Sequence, residues 1–237
     1  MAGFAPAPAP FALRSALPLA ALYVLVVWAS YAIGYDEDQI IPIWPAAGIL
    51  TYAAFQLGWP GLALFGILDF AAAQVPMLGH APAPLPDALF SLANVVALAV
   101  TMALPGAKAR FFAMFDRTRA MLWFLATTAA VSSGLSALLA VGIVWTLAEL
   151  AVVPDVALWE VGLRWFLSDY VGTVVAAPLL LAWSRYRHDG SAAMSAHLAC
   201  TILAIATNLV LTVLIPLPPG ASRFSLLLGL TPLLLCA

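Results

Sequence analysis

Two carboxylates stand inside apolar, helix-length runs: Asp69 in LFGILDFAAA and Asp169 in RWFLSDYVGTVVAAPLLLAW, residues 164–183. A charge at the centre of a membrane helix costs about 2.5–3.5 kcal/mol on insertion scales, so such a residue normally faces a protein interior or a wet cavity. Around the second carboxylate, Trp165, Asp169, Gly172 and Ala176 recur at i, i+4, i+7 and i+11. That period puts an aromatic ring, a carboxylate and two small residues on one helix face, where a neighbouring helix can approach closely. Depth can be counted at roughly 1.5 Å per residue from the helix ends that adjoin the acidic loops. Asp169, Asn94 and Asn208 then lie roughly 10 Å down and Asp69 roughly 15 Å. Four strong polar groups in one layer predict a polar pocket opening toward those loops. The chemistry open to it is ligand contact, together with proton sharing between any two carboxylates that come close. The asparagines also have a packing reading: Asn94, with Ser91 and Thr101 on its face, can join helices at about 0.6–2 kcal/mol per bond.

The elements that must hold these residues are membrane helices. Hydrophobic residues make up 65% of the 237-residue chain and charged ones 8%, against roughly 45–50% and about 25% in soluble domains. Apolar runs of about 20 residues, each enough for roughly 30 Å of hydrocarbon, recur along nearly the whole sequence and leave no soluble domain over. A net charge of −2 offers no basic field for nucleic acid. Cys200 and Cys236 lie in apolar runs, and His80, His188 and His197 lack metal-ligand spacing, so no metal or cofactor is expected. No nucleophile or metalloprotease motif is present, and no catalytic residue is assigned.

Taken in order, residues 1–12 form a flexible Ala-Pro arm and residues 13–237 an integral membrane domain. The fold class is all-α, a bundle of about eight helices. The first runs from Leu13 to Gly34. The second follows the acidic patch Asp36-Glu37-Asp38, starts near Trp44-Pro45 and ends near Gly58. A turn at Gly58-Trp59-Pro60-Gly61 leads into the third, Leu62 to Gly79. The fourth covers Asp87 to Leu104, the fifth Ala120 to Glu149, and the sixth Arg164 to Trp183. The seventh spans about Ala196 to Ile215, and the eighth, from Phe224, is cut short at Ala237. The second helix is brief enough that a re-entrant hairpin is the alternative to a crossing. The stripe Thr128, Ser132, Ser136 reads as a packing face. The tryptophans fall mostly near helix ends as interfacial anchors, with Trp44 and Trp165 set apart as candidates for the pocket.

Orientation follows the excess of lysine and arginine in cytoplasmic loops. Arg14, Lys108, Arg110, Arg117, Arg119, Arg185 and Arg187 share one side, and only Arg164 and Arg223 fall on the other. Both chain ends are therefore predicted to be cytoplasmic in a bacterial inner membrane. Arg164 is expected to reach outward to Glu160 or Asp155 rather than pair with Asp169.

Two stretches carry a resemblance. Trp44-Pro45-Ala46-Ala47-Gly48-Ile49 after an acidic loop, then Ser168-Asp169-Tyr170-Val171-Gly172 and Ala177-Pro178-Leu179-Leu180-Leu181, are similar to the first class of the membrane-associated sensor domains (MASE). Asn94 resembles the asparagine of that family's Gly-Asn-x-x-Glu pattern, with Ala93 and Ala97 replacing the glycine and glutamate, and Ser168 standing where glycine is usual. The resemblance implies an eight-helix sensory input module, with Pro45, Gly48, Gly172 and Pro178 as structural motif residues. It also implies a cytoplasmic histidine kinase or diguanylate cyclase domain in the same polypeptide. The partners expected are the lipid bilayer, an unidentified small ligand or membrane stimulus, that output domain, and a second copy in a homodimer. A small secondary transporter using Asp69 and Asp169 is the competing reading; it predicts repeat symmetry, and no internal repeat stands out.

Overall fold

The structure, a computed structural model, describes residues 13–34, 43–75, 83–150 and 157–189. Asn208, both cysteines, the N-terminal arm and the seventh and eighth predicted helices lie outside the described residues. Within them the secondary structure is entirely helical. The helices are α1 (Leu13–Gly34), α2 (Pro45–Leu57), α3 (Trp59–Ala73), α4 (Pro84–Met102), α5 (Ala107–Phe112), α6 (Thr118–Trp123), a π-helical turn (Phe124–Ala129), α7 (Ala130–Glu149) and α8 (Leu158–Asp189). By length and composition α4, the continuous rod Thr118–Glu149 and α8 can each cross a membrane.

The bundle is built around α2, which packs on α8, α3, α1 and α4. Nine of its thirteen residues are buried, from Ala46 and Gly48 through Phe55. At about 1.5 Å per residue it is too short for the roughly 30 Å hydrocarbon layer, a shortfall that matters little for a helix sheathed by protein. Large apolar side chains do face outward on its neighbours, among them Leu25, Ile67, Leu92, Leu138 and Leu163. None of the exposed large apolar residues is on α2. This arrangement, apolar outside as well as inside, is what a lipid solvent selects.

Proline at the first turn starts α2, α3 and α4, where its missing N–H has no intrahelical partner to lose. The break between α2 and α3 is narrower than the four-residue turn read from the sequence. Gly58 alone makes it, at φ +74, and Trp59 and Pro60 already belong to α3. That left-handed backbone value is accessible to glycine at little cost. Three other expectations also shift. Helix α3 ends at Ala73 rather than Gly79, the basic connector folds into α5, and α8 begins at Leu158 inside what read as an aqueous loop.

Helices α2 and α8 run parallel and touch backbone to backbone. A Cβ added to Gly48 would overlap the Gly172 carbonyl oxygen, and one added to Gly172 would overlap the Trp44 carbonyl. The Trp44 backbone N–H donates to the Ser168 carbonyl at 3.2 Å. Trp44 is the N-cap of α2, and the orphan donor that a helix start leaves is thus satisfied by another helix.

Each end of the bundle is tied. At one end Asp87 accepts hydrogen bonds from Gln74 Nε2 at 2.9 Å and from the Ala83 N–H at 3.0 Å, fastening the start of α4 to the end of α3. At the other, Arg185 of α8 donates to both Asp116 oxygens, at 2.8 and 3.0 Å, and to the Phe112 carbonyl. Phe55 of α2 stacks on Phe111 of α5 at 4.5 Å between ring centroids, which seats the connector beneath the bundle. Hydrogen bonds from Arg185 hold the Asp116 carboxyl below its ordinary range, with Arg117 adding attraction. A depressed folded value stabilises above the unfolded pKa of about 3.9 and ceases to do so as pH falls through the folded one. The pair is largely exposed, so Asp116→Asn should lower stability at pH 7 by no more than about 1 kcal/mol. The difference between the variant and the parent should vanish as pH falls through the depressed folded value of that carboxyl, read by thermal unfolding in detergent across pH.

Candidate functional site

Three of the polar residues expected in one layer do converge. Asp69 of α3 and Asp169 of α8 are buried, at 6% and 5% exposure, and both face the interior of the bundle. The Tyr23 hydroxyl of α1 donates to Asp69 Oδ1 at 2.7 Å, and Ser91 and Asn94 of α4 lie beside that carboxylate. Ser136 of α7 donates to Asn94 Oδ1 at 2.6 Å. Trp165 Nε1 points between Ser136 Oγ at 2.9 Å and Asp169 Oδ2 at 3.1 Å. A polar cluster therefore extends from α1 to α8 through α3, α4 and α7, hydrogen-bonded from Asn94 to Asp169 on one side and from Tyr23 to Asp69 on the other.

The direction of each bond follows from the donors available. Indole nitrogen only donates, so Ser136 Oγ accepts from Trp165 and its single hydrogen goes to Asn94. Asp69 in turn accepts from Tyr23 of α1. Asp169 shares the Trp165 N–H with Ser136. Buried networks of this kind hold their helices in one register because a misaligned member leaves a polar group stranded in a low-dielectric interior.

Beside Asp169 lies a small cavity bounded by α2, α4, α7 and α8. The space open to the centre of a water molecule is ≈ 10 Å³, about the minimum for one water. The open ligand pocket expected from the sequence is therefore a site for a water or a single ion among the described residues. Close packing at Gly48 and Gly172 accounts for the reduction, since it draws α2 against α8 along the cavity wall.

The other sequence-predicted residues fall around this centre. Trp44 abuts Tyr31 at 5.6 Å between ring centroids and contributes backbone rather than indole to the α8 contact. Pro45 opens α2 and Pro178 lies inside α8. Ala176 and Ala177, just before Pro178, complete the surface on which Gly48 rests. The two regions that carried the family resemblance are thus opposite halves of one contact. Arg164 pairs with Glu160 one turn away, as its position suggested, and Asp169 accepts from Trp165.

Two members of the chain escaped the sequence reading. Tyr23 sits in the middle of α1 among aliphatic residues, and a hydroxyl at that depth, far from either interface, was the available signal. Ser136 belonged to a stripe read as packing, but that stripe is split by the π-helical turn. Ser132 and Ser136 line the cavity, whereas Thr128, within the turn, is fully buried and its hydroxyl has no partner among the described residues. Single π turns are frequent at functional positions in helices.

Buried polar groups shared among membrane-length helices around one small cavity define a helical membrane module. A family model named MASE1 matches residues 15–237, and the chain belongs to that family, a membrane-associated sensory domain of signalling proteins. No curated protein and no solved structure matches the chain.

Removing the hydroxyl in Tyr23→Phe takes a donor from a buried carboxylate and should cost about 1–3 kcal/mol of stability. In an Asp69→Asn background the same change should cost less, because the acceptor is no longer a charged one. A double-mutant cycle on denaturant unfolding in micelles measures both.

Proposed function

We propose that the chain is the input domain of a bacterial signalling protein, lying in the inner membrane with its basic end cytoplasmic. In this reading a periplasmic or intramembrane stimulus changes the packing of α8 on α2, and the shift biases a histidine kinase or diguanylate cyclase domain in the same polypeptide. The observation that carries it is the family match over residues 15–237, whose two motif regions coincide with the α2–α8 contact. Sidedness is supported by Lys108, Arg110, Arg117, Arg119 and Arg185, which gather around α5 and the end of α8, while Asp87, Glu149 and Glu160 lie by the opposite helix ends. The vote does not depend on whether α2 and α3 cross fully or re-enter, because the hairpin returns the chain to the same side in either case.

A contact with glycine on both sides can move between two arrangements at low cost, and a stimulus shifts the population to the extent that it binds one of them better. Helix α8 leads toward the basic end, so a displacement at Gly172 is delivered as a movement of Arg185 and the residues beyond. Gly172→Leu forces α8 away from Trp44 and should fix the output. Full-length protein should then show kinase or cyclase activity that no longer responds to the stimulus, with membrane insertion unchanged. An output that responds as in the parent would contradict the proposal. Proton-coupled solute uptake by vesicles that is lost in Asp169→Asn would replace it with a transporter.

A further inference from the structure

The cavity beside Asp169 has a composition that its size alone does not explain. Its polar lining is contributed by Thr51, Asn94, Ser133, Ser136, Asp169 and Thr173, with Ser132 at the margin, and no lysine, arginine or histidine reaches it. Every one of these groups except the asparagine amide offers oxygen only. Ser133 and Thr173 are 2% and 3% exposed. Helical serine and threonine commonly return their hydroxyl to the carbonyl one turn back, as Ser30, Thr51, Thr127 and Thr146 do here. None of the hydrogen bonds found among the described residues uses the hydroxyl of Ser133 or Thr173. Thr51 donates to Ala47, which leaves its oxygen lone pairs toward the cavity.

Hydroxyl and amide oxygens ranged around a buried carboxylate form a set of hard donors whose lone pairs a cation can accept. We infer that this cavity is a binding site for one sodium ion, ligated by Asp169 with hydroxyl and amide oxygens from α2, α4, α7 and α8. Hard cations take oxygen ligands, and a set without sulfur or imidazole does not suit transition metals. Calcium takes six to eight oxygens, commonly including several carboxylates, and magnesium retains several waters; a space for about one water holds neither arrangement. The carboxylate excludes anions by charge. A monovalent ion also balances Asp169 where an unpaired charge is costly. Because the ligands span the α2–α8 contact, an ion there draws those helices together. The inference gives a ligand to the site on which the proposed sensory role rests.

Sodium that binds the folded protein raises its melting temperature, by several degrees when present at about 100 times its Kd. The test uses the full-length protein in nanodiscs, with sodium chloride exchanged for choline chloride at constant ionic strength and constant pH. The parent should melt higher in sodium, Asp169→Asn should show no sodium-dependent rise, and Thr173→Val and Ser133→Ala should each need several-fold more sodium for half the rise. Equal melting of the parent in sodium and choline overturns the inference, as does a rise retained in Asp169→Asn. Should Asp169→Asn not fold, unchanged sodium midpoints in both hydroxyl variants overturn it instead. Since binding is read without any output, a sodium-dependent rise alongside an unresponsive kinase or cyclase refutes the sensory reading alone.

Discussion

The structure depends on one close approach, that of the α2 start to the middle of α8. Gly48 lies against the backbone of Gly172 and the alanines that follow it, and the Trp44 N–H closes the gap with a hydrogen bond to Ser168. No side chain can stand between the two helices at this point. Membrane helices lack a hydrophobic drive to associate with one another in lipid, so their affinity comes from packing of small residues and from interhelical hydrogen bonds. Both contributions are concentrated here. The cost of the arrangement is a restricted sequence, glycine at two positions and a short residue at 176.

The carboxylate chain is a consequence of that approach. With α2 held on α8, Asp169 is turned toward α4 and α7, and the ring of Trp165 reaches Ser136. From there Asn94 lies beside Asp69, which accepts from Tyr23, so that three side chains, Ser136, Asn94 and Asp69, stand between Trp165 of α8 and Tyr23 of α1. Such a cluster lets packed helices respond as a unit: bistable packing transmits small shifts that a continuously deformable interior would absorb. At the basic end the same helix is fastened again, by Arg185 on Asp116 and Phe112, which links movement of α8 to the connector.

Much of this was legible in the residues. The helix periodicity placed α1, α4 and the rod Thr118–Glu149 within a few positions and found the middle of α8, because lipid requires backbone bonds to close within each helix and so leaves long apolar signatures. The common depth of Asp69, Asn94 and Asp169 was also legible, since depth is a one-dimensional count along each helix. What could not be read was azimuth between helices. Ser136 looked like packing because nothing in its own helix says that Trp165 and Asn94 face it, and Tyr23 gained its meaning only from α3. The cavity's size was equally hidden, because it is set by the Gly48–Gly172 approach rather than by the residues that line it. Turns were misjudged in extent where a single glycine, Gly58, did the work assigned to four residues.

The α2–α8 contact makes one amide exceptional. Trp44 precedes a proline and caps α2, so its N–H has no acceptor within its own helix, and its protection comes from the Ser168 carbonyl. Residue-resolved hydrogen exchange on the protein in nanodiscs measures that amide directly. Trp44 should exchange as slowly as amides in the core of α8, and this protection should be lost in Gly172→Leu. Exchange of Trp44 at the rate of an open loop in the parent protein would contradict it.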